Sequence, residues 1–509
     1  MIEVEVHSSL KDFLREQGNR GWPHHLTMAR LVARTLRLGR SALMQTGSSI
    51  NKYCPSYLMP VLLGDWSVII VVPQLKQANL IKNEIPSLQK WLGITKEVRI
   101  GDRWQTGDQL LITSPETWIS DRLNQKSRFP PNIPTIIDRA DDLEEWAIQQ
   151  LTISLETSDW DNLLQANPQD AELIRNGRVK LTKAIFSHPI NPYECYLLEQ
   201  PERDILIYIL QILANKKALT DKFDQFWHLL SSPRHPFRVN SQPSPLLWVS
   251  RQSTKGFFTL HIAPAEVATA LNPIWHQQPV VLIGSFLDRE PQAPIYREKL
   301  GLPEMLCLQY SPNRQQEHIR LYLPDRFPLP NNPQFREAFI EQARILVGFS
   351  RNIKQPVVIL VEDVPLRAQV ASALAAQIGS QVQVDSTEVT DTGILVTGWQ
   401  FWKQHQDQLP IPKLLIIATL PLPSLENPLV ASRVAHFKRR RQDWFRLYLL
   451  PTALNIIQQA IIPLRESQGI VALLDNRVNF RSYGKTILSA LEPCARINYI
   501  DPTWFFNSN

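Results

Sequence analysis

Pro134-Thr-Ile-Ile-Asp-Arg-Ala-Asp-Asp-Leu-Glu-Glu-Trp146 reads as a short β-strand, Thr135–Asp138, that runs into an acidic turn. Its apolar core lacks polar alternation, which suits a strand buried on both faces of a parallel sheet. Asp138 falls where the strand stops, a good place for a metal-facing carboxylate. The next residue is Arg139, whose guanidinium stays protonated at any working pH and supplies no general base. A surface ion pair with Asp141, Asp142 or Glu144 is the expected role of Arg139.

Similar apolar runs lie on either side. Upstream, Leu26–Leu38 has helical spacing, followed by strand signals at Ala42–Gln45, Ser67–Val72 and Leu110–Thr113. This alternation predicts a doubly wound α/β domain. From about Glu145 to Pro245 the character changes, with helices expected around Asn162–Leu164, Ala171–Ile174, Asp204–Ala214 and Lys222–Leu230. Strands resume at Leu246–Val249, Phe257–Ile262 and Val280–Ile283. A second alternation starts at Val357–Val361. It runs through the helix Leu366–Ile378, strands at Ile394–Thr397 and Leu414–Ala418, a basic helix Arg433–Tyr448, the helix Thr452–Ile462 and the strand Gly469–Leu474. The expected division is 1–146 plus 246–300 for the first domain, 147–245 for a helical insertion, and 301–509 for the second domain.

Composition agrees with a multidomain protein. The 509 residues are 44% hydrophobic and 20% charged, enough for several cores and unlike a disordered chain. Thirty-nine prolines, scattered among Trp and Leu, punctuate loops. A net charge of +6 permits a polyanionic partner without demanding one. Cys54, Cys195, Cys307 and Cys494 are too far apart in sequence for local metal-ligand spacing, which points to reduced thiols and a cytoplasmic setting. The N-terminus has no signal-peptide pattern, and the apolar runs are strand-sized, so no membrane association is expected.

The order of segments resembles the DinG/XPD-like branch of superfamily 2 DNA helicases. Gly393-Ile-Leu-Val-Thr-Gly-Trp-Gln-Phe-Trp402 is similar to the family's strand leading into its "FWEG" loop. Leu415–Pro423 and Asn427-Pro-Leu429 are similar to its "LPF" and "DPL" elements. Leu450-Pro-Thr-Ala, Gln458, Arg465, Leu474-Asp-Asn-Arg477 and Tyr483-Gly-Lys485 follow in order, and Pro23, Met28 and Tyr57-Leu-Met-Pro60 match upstream flanks. The resemblance implies two RecA-like domains of the P-loop NTPase type, with the helical insertion in the first. ATP would be clamped between them and single-stranded DNA would be the track.

The catalytic stations that the resemblance implies are altered. The phosphate loop would be Gln45-Thr-Gly-Ser-Ser-Ile-Asn-Lys-Tyr-Cys54, with Tyr53 at the lysine position, Cys54 at the hydroxyl position and Ile50 at a glycine position. Gly47, Ser48 and Lys52 are its remnants, and Lys52 is one place out of register. The DEAH element becomes Asp138-Arg-Ala-Asp141, which leaves Asp138 as a vestigial metal-facing carboxylate. Lys403 replaces the acid after Phe401-Trp402, an aromatic pair that core packing alone would keep. The arginine-finger position is Ile462, followed by the helix breaker Pro463, while Gln458 and Arg465 persist as vestiges of the nucleotide site. No cysteine lies between Leu80 and Asp138, so the family's iron–sulfur cluster has no ligands there. No metal site is expected, and ATP with magnesium is doubtful. His24-His25 are expected to cap or pack.

Arg433, Lys438, Arg439, Arg440 and Arg441 are the candidate phosphate contacts. Three readings stay open. One is a catalytically degenerate homologue that binds single-stranded DNA or RNA, or a repair or replication partner. Another is an active ATP-dependent helicase with divergent motifs, and the third is a protein-interaction scaffold without nucleic-acid affinity.

Overall fold

A computed structural model describes residues 2–18, 23–231, 245–252, 256–312, 314, 316–351 and 355–505. The strands, numbered along the chain, open with β1 (Ala42–Gln45), β2 (Val68–Val71), β3 (Val98–Ile100), β4 (Leu110–Thr113) and β5 (Thr135–Asp138). The chain then leaves to build β6 (Ile153–Leu155), β7 (Cys195–Leu197), β8 (Leu246–Gln252) and β9 (Phe257–Ala263), and returns with β10 (Val280–Gly284) and β11 (Leu306–Gln309). The first lobe is thus a seven-stranded parallel sheet in the order β11-β1-β10-β5-β2-β4-β3.

Alternate residues of each central strand enter different cores. Met44, Ile70, Ile112, Ile136 and Ile283 pack under the N-terminal helices Ile2–Glu16, Pro23–Leu38 and Cys54–Leu63. Leu43, Ile69, Leu111, Ile137 and Leu282 pack under helices Pro115–Asn124, Leu143–Leu151 and Ala268–Gln277 on the opposite face. Burial on both faces explains why these strands read as continuous apolar runs.

The second lobe repeats the plan with β12 (Ile319–Tyr322), β13 (Val357–Leu360), β14 (Val382–Val384), β15 (Ile394–Thr397), β16 (Leu414–Ile417), β17 (Ile470–Leu473) and β18 (Cys494–Ile497). They form a parallel sheet in the order β14-β15-β13-β16-β17-β12-β18.

The structure shifts both expected boundaries. β8 and β9, placed by sequence in the first domain, pair instead with β6 and β7 in a four-stranded antiparallel sheet inside the insertion. Their residues alternate: Val249, Phe258, Leu260 and Ile262 enter the insertion's core while Trp248, Ser250, Thr259 and His261 do not. That half-buried pattern is the mark of an antiparallel sheet with helices on one face. The insertion is therefore helices on a small sheet. Residues 232–244, expected to close it, lie outside the described set.

The second shift concerns β11, assigned by sequence to the second domain. It is the edge strand of the first sheet, with Cys307 beside Leu43. The lobes therefore part after Gln309.

The expected basic helix also breaks. It spans Pro428–Arg439, Arg441 turns to a left-handed φ of 56°, and a new segment begins at Phe445. Helix Leu450–Ala460 ends before Pro463, which opens the short helix Ile462–Glu466. Among the described residues, no helix is long and apolar enough to cross a membrane.

Candidate functional site

In an open parallel sheet, ligands bind beyond the carboxyl ends of the strands. Here the loops after β1, β5 and β10 converge at that edge, facing the second lobe. The loop after β1 is tied to protein on both sides. The Thr46 and Gly47 amides donate to the carbonyls of Gly284 and Ser285 at 2.8 and 3.0 Å. Thr46 Oγ1 donates to the Ser48 carbonyl at 2.7 Å, and Ser48 is itself buried. These two amides are therefore committed to β10 and its following turn.

Gly47 is needed for a different reason from the one a phosphate cradle would give. Its φ is +66°, and a Cβ would sit 2.3 Å from the Tyr310 carbonyl oxygen. Gly47→Ala is accordingly expected to destabilise the first lobe by about 2 kcal/mol, from left-handed strain plus this clash, measured by thermal or urea unfolding.

Tyr53 lies 2% exposed in an aromatic pile. Its ring stacks on His25 at 4.4 Å and on Tyr310 at 6.0 Å, and His24 stacks on Tyr310 at 4.8 Å. Burial pushes the His25 pKa down to about 4, so the stack holds a neutral imidazole at pH 7. His24 and His25 thus pack, as their sequence context suggested. Lys52 turns away to Glu317 at 3.0 Å and Glu466 at 3.5 Å, in the region leading to and within the second lobe.

Asp138 is fully buried. Tyr57 donates its hydroxyl to Oδ2 at 2.9 Å, and the Lys76 ammonium stands 3.7 Å from the same oxygen. A lysine thus balances the charge that a metal ion would otherwise neutralise. Burial also pushes the neighbouring Cys54 thiol up to about 12, so it offers neither a hydroxyl nor a thiolate ligand. Asp141 accepts from the Ser285 and Phe286 amides at 2.8 and 2.9 Å, and burial raises its pKa. Together these residues do not fit a magnesium–triphosphate: Tyr53 is packed in the pile and offers no ammonium, two amides of the loop are tied to β10 and its following turn, and Lys76 already faces the carboxylate.

Arg139 and Lys403 bridge the lobes. Arg139 bonds to Asp407 of the second lobe rather than to its acidic neighbours, helped by a left-handed φ of 63° at the turn. Lys403 reaches back to Asp142 at 2.7 Å and Glu145 at 3.1 Å. Burial opposes the Lys403 ammonium, but the two carboxylates outweigh it and hold its pKa above the ordinary lysine value.

Arg465 is 1% exposed and donates to four carbonyls, those of Glu317, Leu491, Glu492 and Pro493, at 2.9–3.3 Å. It holds the end of helix Gly484–Leu491 rather than facing the phosphate loop. Gln458 donates to the Ala490 carbonyl at 3.2 Å and lines a cleft of about 1910 Å³ between the lobes, together with Arg139, Lys403 and Arg433. Trp402, fully buried, donates Nε1 to the Ala460 carbonyl, so the surviving aromatic pair is anchored in the core.

Residues 411–494 match the family model described as the helicase C-terminal domain. The chain is 21% identical over 316 residues to the ATP-dependent DNA helicase YoaA of Escherichia coli (strain K12), covering 59% of this chain and 49% of the relative. It is also 27% identical over 119 residues to YoaA of Haemophilus influenzae, covering 23% and 19%. The chain therefore spans at most about half the length of these relatives. An apo XPD structure superposes with a TM-score of 0.60 at 14% identity, over 92% of this chain and 100% of that one. Xpd4 of S. tokodaii gives 0.58 at 14% identity, over 93% and 99%. The chain is a DinG/XPD-like helicase homologue.

In this DinG/XPD-like homologue the cations expected to contact phosphate divide into two sets. Arg433 lies 3.9 Å from Glu144 and over the Tyr448 ring, and Arg440 and His436 hold Glu266. Lys438, Arg439 and Arg441 are exposed at the end of the broken helix, with Lys438 over the Trp444 ring at 5.4 Å and Arg446 nearby in sequence. Sequence reasoning missed Lys76, Tyr310, Glu317 and Asp407. Lys76 and Glu317 carry no motif, while Tyr310 and Asp407 acquire meaning only from partners 257 and 268 positions away.

Proposed function

We propose that this helicase homologue does not turn over ATP and serves as a binding protein for single-stranded DNA or RNA. The observation that carries the first half is the Tyr53 pile: the residue at the position that the resemblance gives to the phosphate-binding lysine is an aromatic ring stacked on His25 and Tyr310. Arg139 supports it, because a guanidinium cannot deprotonate the attacking water. The second half rests on the exposed set Lys438, Arg439, Arg441 and Arg446 beside Trp444, cations with an aromatic face of the kind that single strands favour. The YoaA relatives are named as DNA helicases, which agrees with a nucleic-acid ligand. ATP, magnesium and an iron–sulfur cluster have no part in this reading, and a reduced, cytoplasmic setting suits the four free thiols.

Titration of labelled single strands at several salt concentrations, with phosphate release assayed in parallel, tests the proposal. Four phosphate contacts predict a slope of log affinity against log salt of about −3. Replacing Lys438, Arg439, Arg441 and Arg446 by Ala should flatten it. Strand-stimulated phosphate release would establish the active-helicase reading instead. An affinity indifferent to salt would remove the basic turn as the contact. Absence of strand binding, with a repair or replication protein stably bound, would favour the scaffold.

A further inference from the structure

The positions where catalytic acids would stand do more than lack catalysis. Arg139 and Lys403 come from opposite lobes, and each finds carboxylates on the other: Arg139 with Asp407, and Lys403 with Asp142 and Glu145. The signs are complementary in both directions across one cleft, so a single reversal would have left two carboxylates or two cations face to face. Further ties lie to either side. Lys52 reaches Glu466, Asn455 Nδ2 donates to the Phe286 carbonyl at 2.6 Å, and Arg440 and His436 of the second lobe hold Glu266.

Exposed ion pairs are individually weak and sensitive to salt. Several that must break together as one rigid lobe swings from the other act as a unit. In a nucleotide motor the same cleft is held shut by the ligand's phosphates, and so opens and closes with turnover.

From this reciprocal pairing, and resting on the reading of a cleft without ATP turnover, we propose that the protein carries its own latch. Cross-lobe ion pairs at the former catalytic positions hold the lobes in one closed arrangement, set by ionic strength rather than by nucleotide. At low salt the closed form is then the binding platform, with or without nucleotide.

The test uses the full chain, with dyes attached through unnatural amino acids at the exposed positions Lys82 and Gln377, one on each lobe. Single-molecule energy transfer then reads the distance between lobes. In wild type, Mg-ATP should leave that distance unchanged, while rising salt should shift molecules to a longer one. At a salt concentration where both forms are seen, R139E and K403E should each raise the open-to-closed ratio about two- to fivefold. R139E combined with D407R should return it to the wild-type value. R139Q and K403Q, milder changes, guard against misfolding, which circular dichroism would reveal.

Folded variants with the wild-type distance distribution, or a wild type that closes further on Mg-ATP, would overturn the latch. Phosphate release is recorded on the same samples. Release above background from wild type would refute the absence of turnover whatever the distances show. Variant distances that match wild type, without release, would refute the latch alone.

Discussion

Tyr53→Ala should cost the first lobe about 3–5 kcal/mol, the range for removing a buried aromatic side chain, and should leave phosphate release at background. The ring is almost fully enclosed between His25 and Tyr310, so its loss leaves a cavity that neighbours on a helix and a tied connector fill poorly. If the pile were a removable lid over a working phosphate loop, the same change would open the loop and raise ATP binding. Urea unfolding and a fluorescent-nucleotide titration on one preparation separate the outcomes. Nucleotide affinity gained by the alanine variant would contradict a purely structural role for Tyr53.

Arg465→Met should be the most damaging change in the second lobe, with a loss of at least about 3 kcal/mol. Methionine roughly preserves length but removes the guanidinium from the carbonyls of Glu317, Leu491 and Glu492, while that of Pro493 keeps the Ile319 amide, and each buried unsatisfied polar group costs about 1–3 kcal/mol. Burial lowers the arginine pKa to about 10, so the native guanidinium remains charged at pH 7 and its hydrogen bonds are charge-assisted. The expected signature is an early melting phase for the second lobe. A role confined to nucleotide contact predicts the opposite: unchanged melting with altered ATP affinity.

The fold was largely legible because it rests on local signals. Val68–Val71, Leu110–Thr113, Thr135–Asp138, Ile394–Thr397 and Leu414–Ile417 are fully buried runs, and such runs announce parallel strands directly. Where signals were weaker, boundaries moved. β11 is a partly exposed edge strand, Leu306-Cys-Leu-Gln309, too short to declare its sheet. β8 and β9 declared themselves as strands, but which sheet they join depends on pairing over a hundred positions away, Ile153 with Ile262.

The site was half legible. The resemblance implies altered lysine, acid and arginine-finger positions, and the residues that stand there, Tyr53, Arg139, Lys403 and Ile462, were readable one by one. What those residues touch was not. Arg139 has three acidic neighbours in sequence yet pairs with Asp407, because its left-handed backbone accompanies a side chain directed across the cleft rather than along the turn. Arg465 read as a vestige of the nucleotide site because the resemblance places a nucleotide-facing arginine there. Its carbonyl partners come from the ends of other elements.

Tyr310 and Glu317 both belong to the stretch that joins β11 to β12, the stretch on which two lobes of a motor would hinge. One packs against Tyr53 in the segment after β1 and the other grips Lys52 from that same segment, while its carbonyl takes a hydrogen bond from Arg465. The connector is therefore tied to both lobes, to the segment after β1 through Tyr53 and Lys52 and to helix Ile462–Glu466 through Arg465. Any swing of one lobe from the other must then strain these contacts at the connector as well as the ion pairs across the cleft.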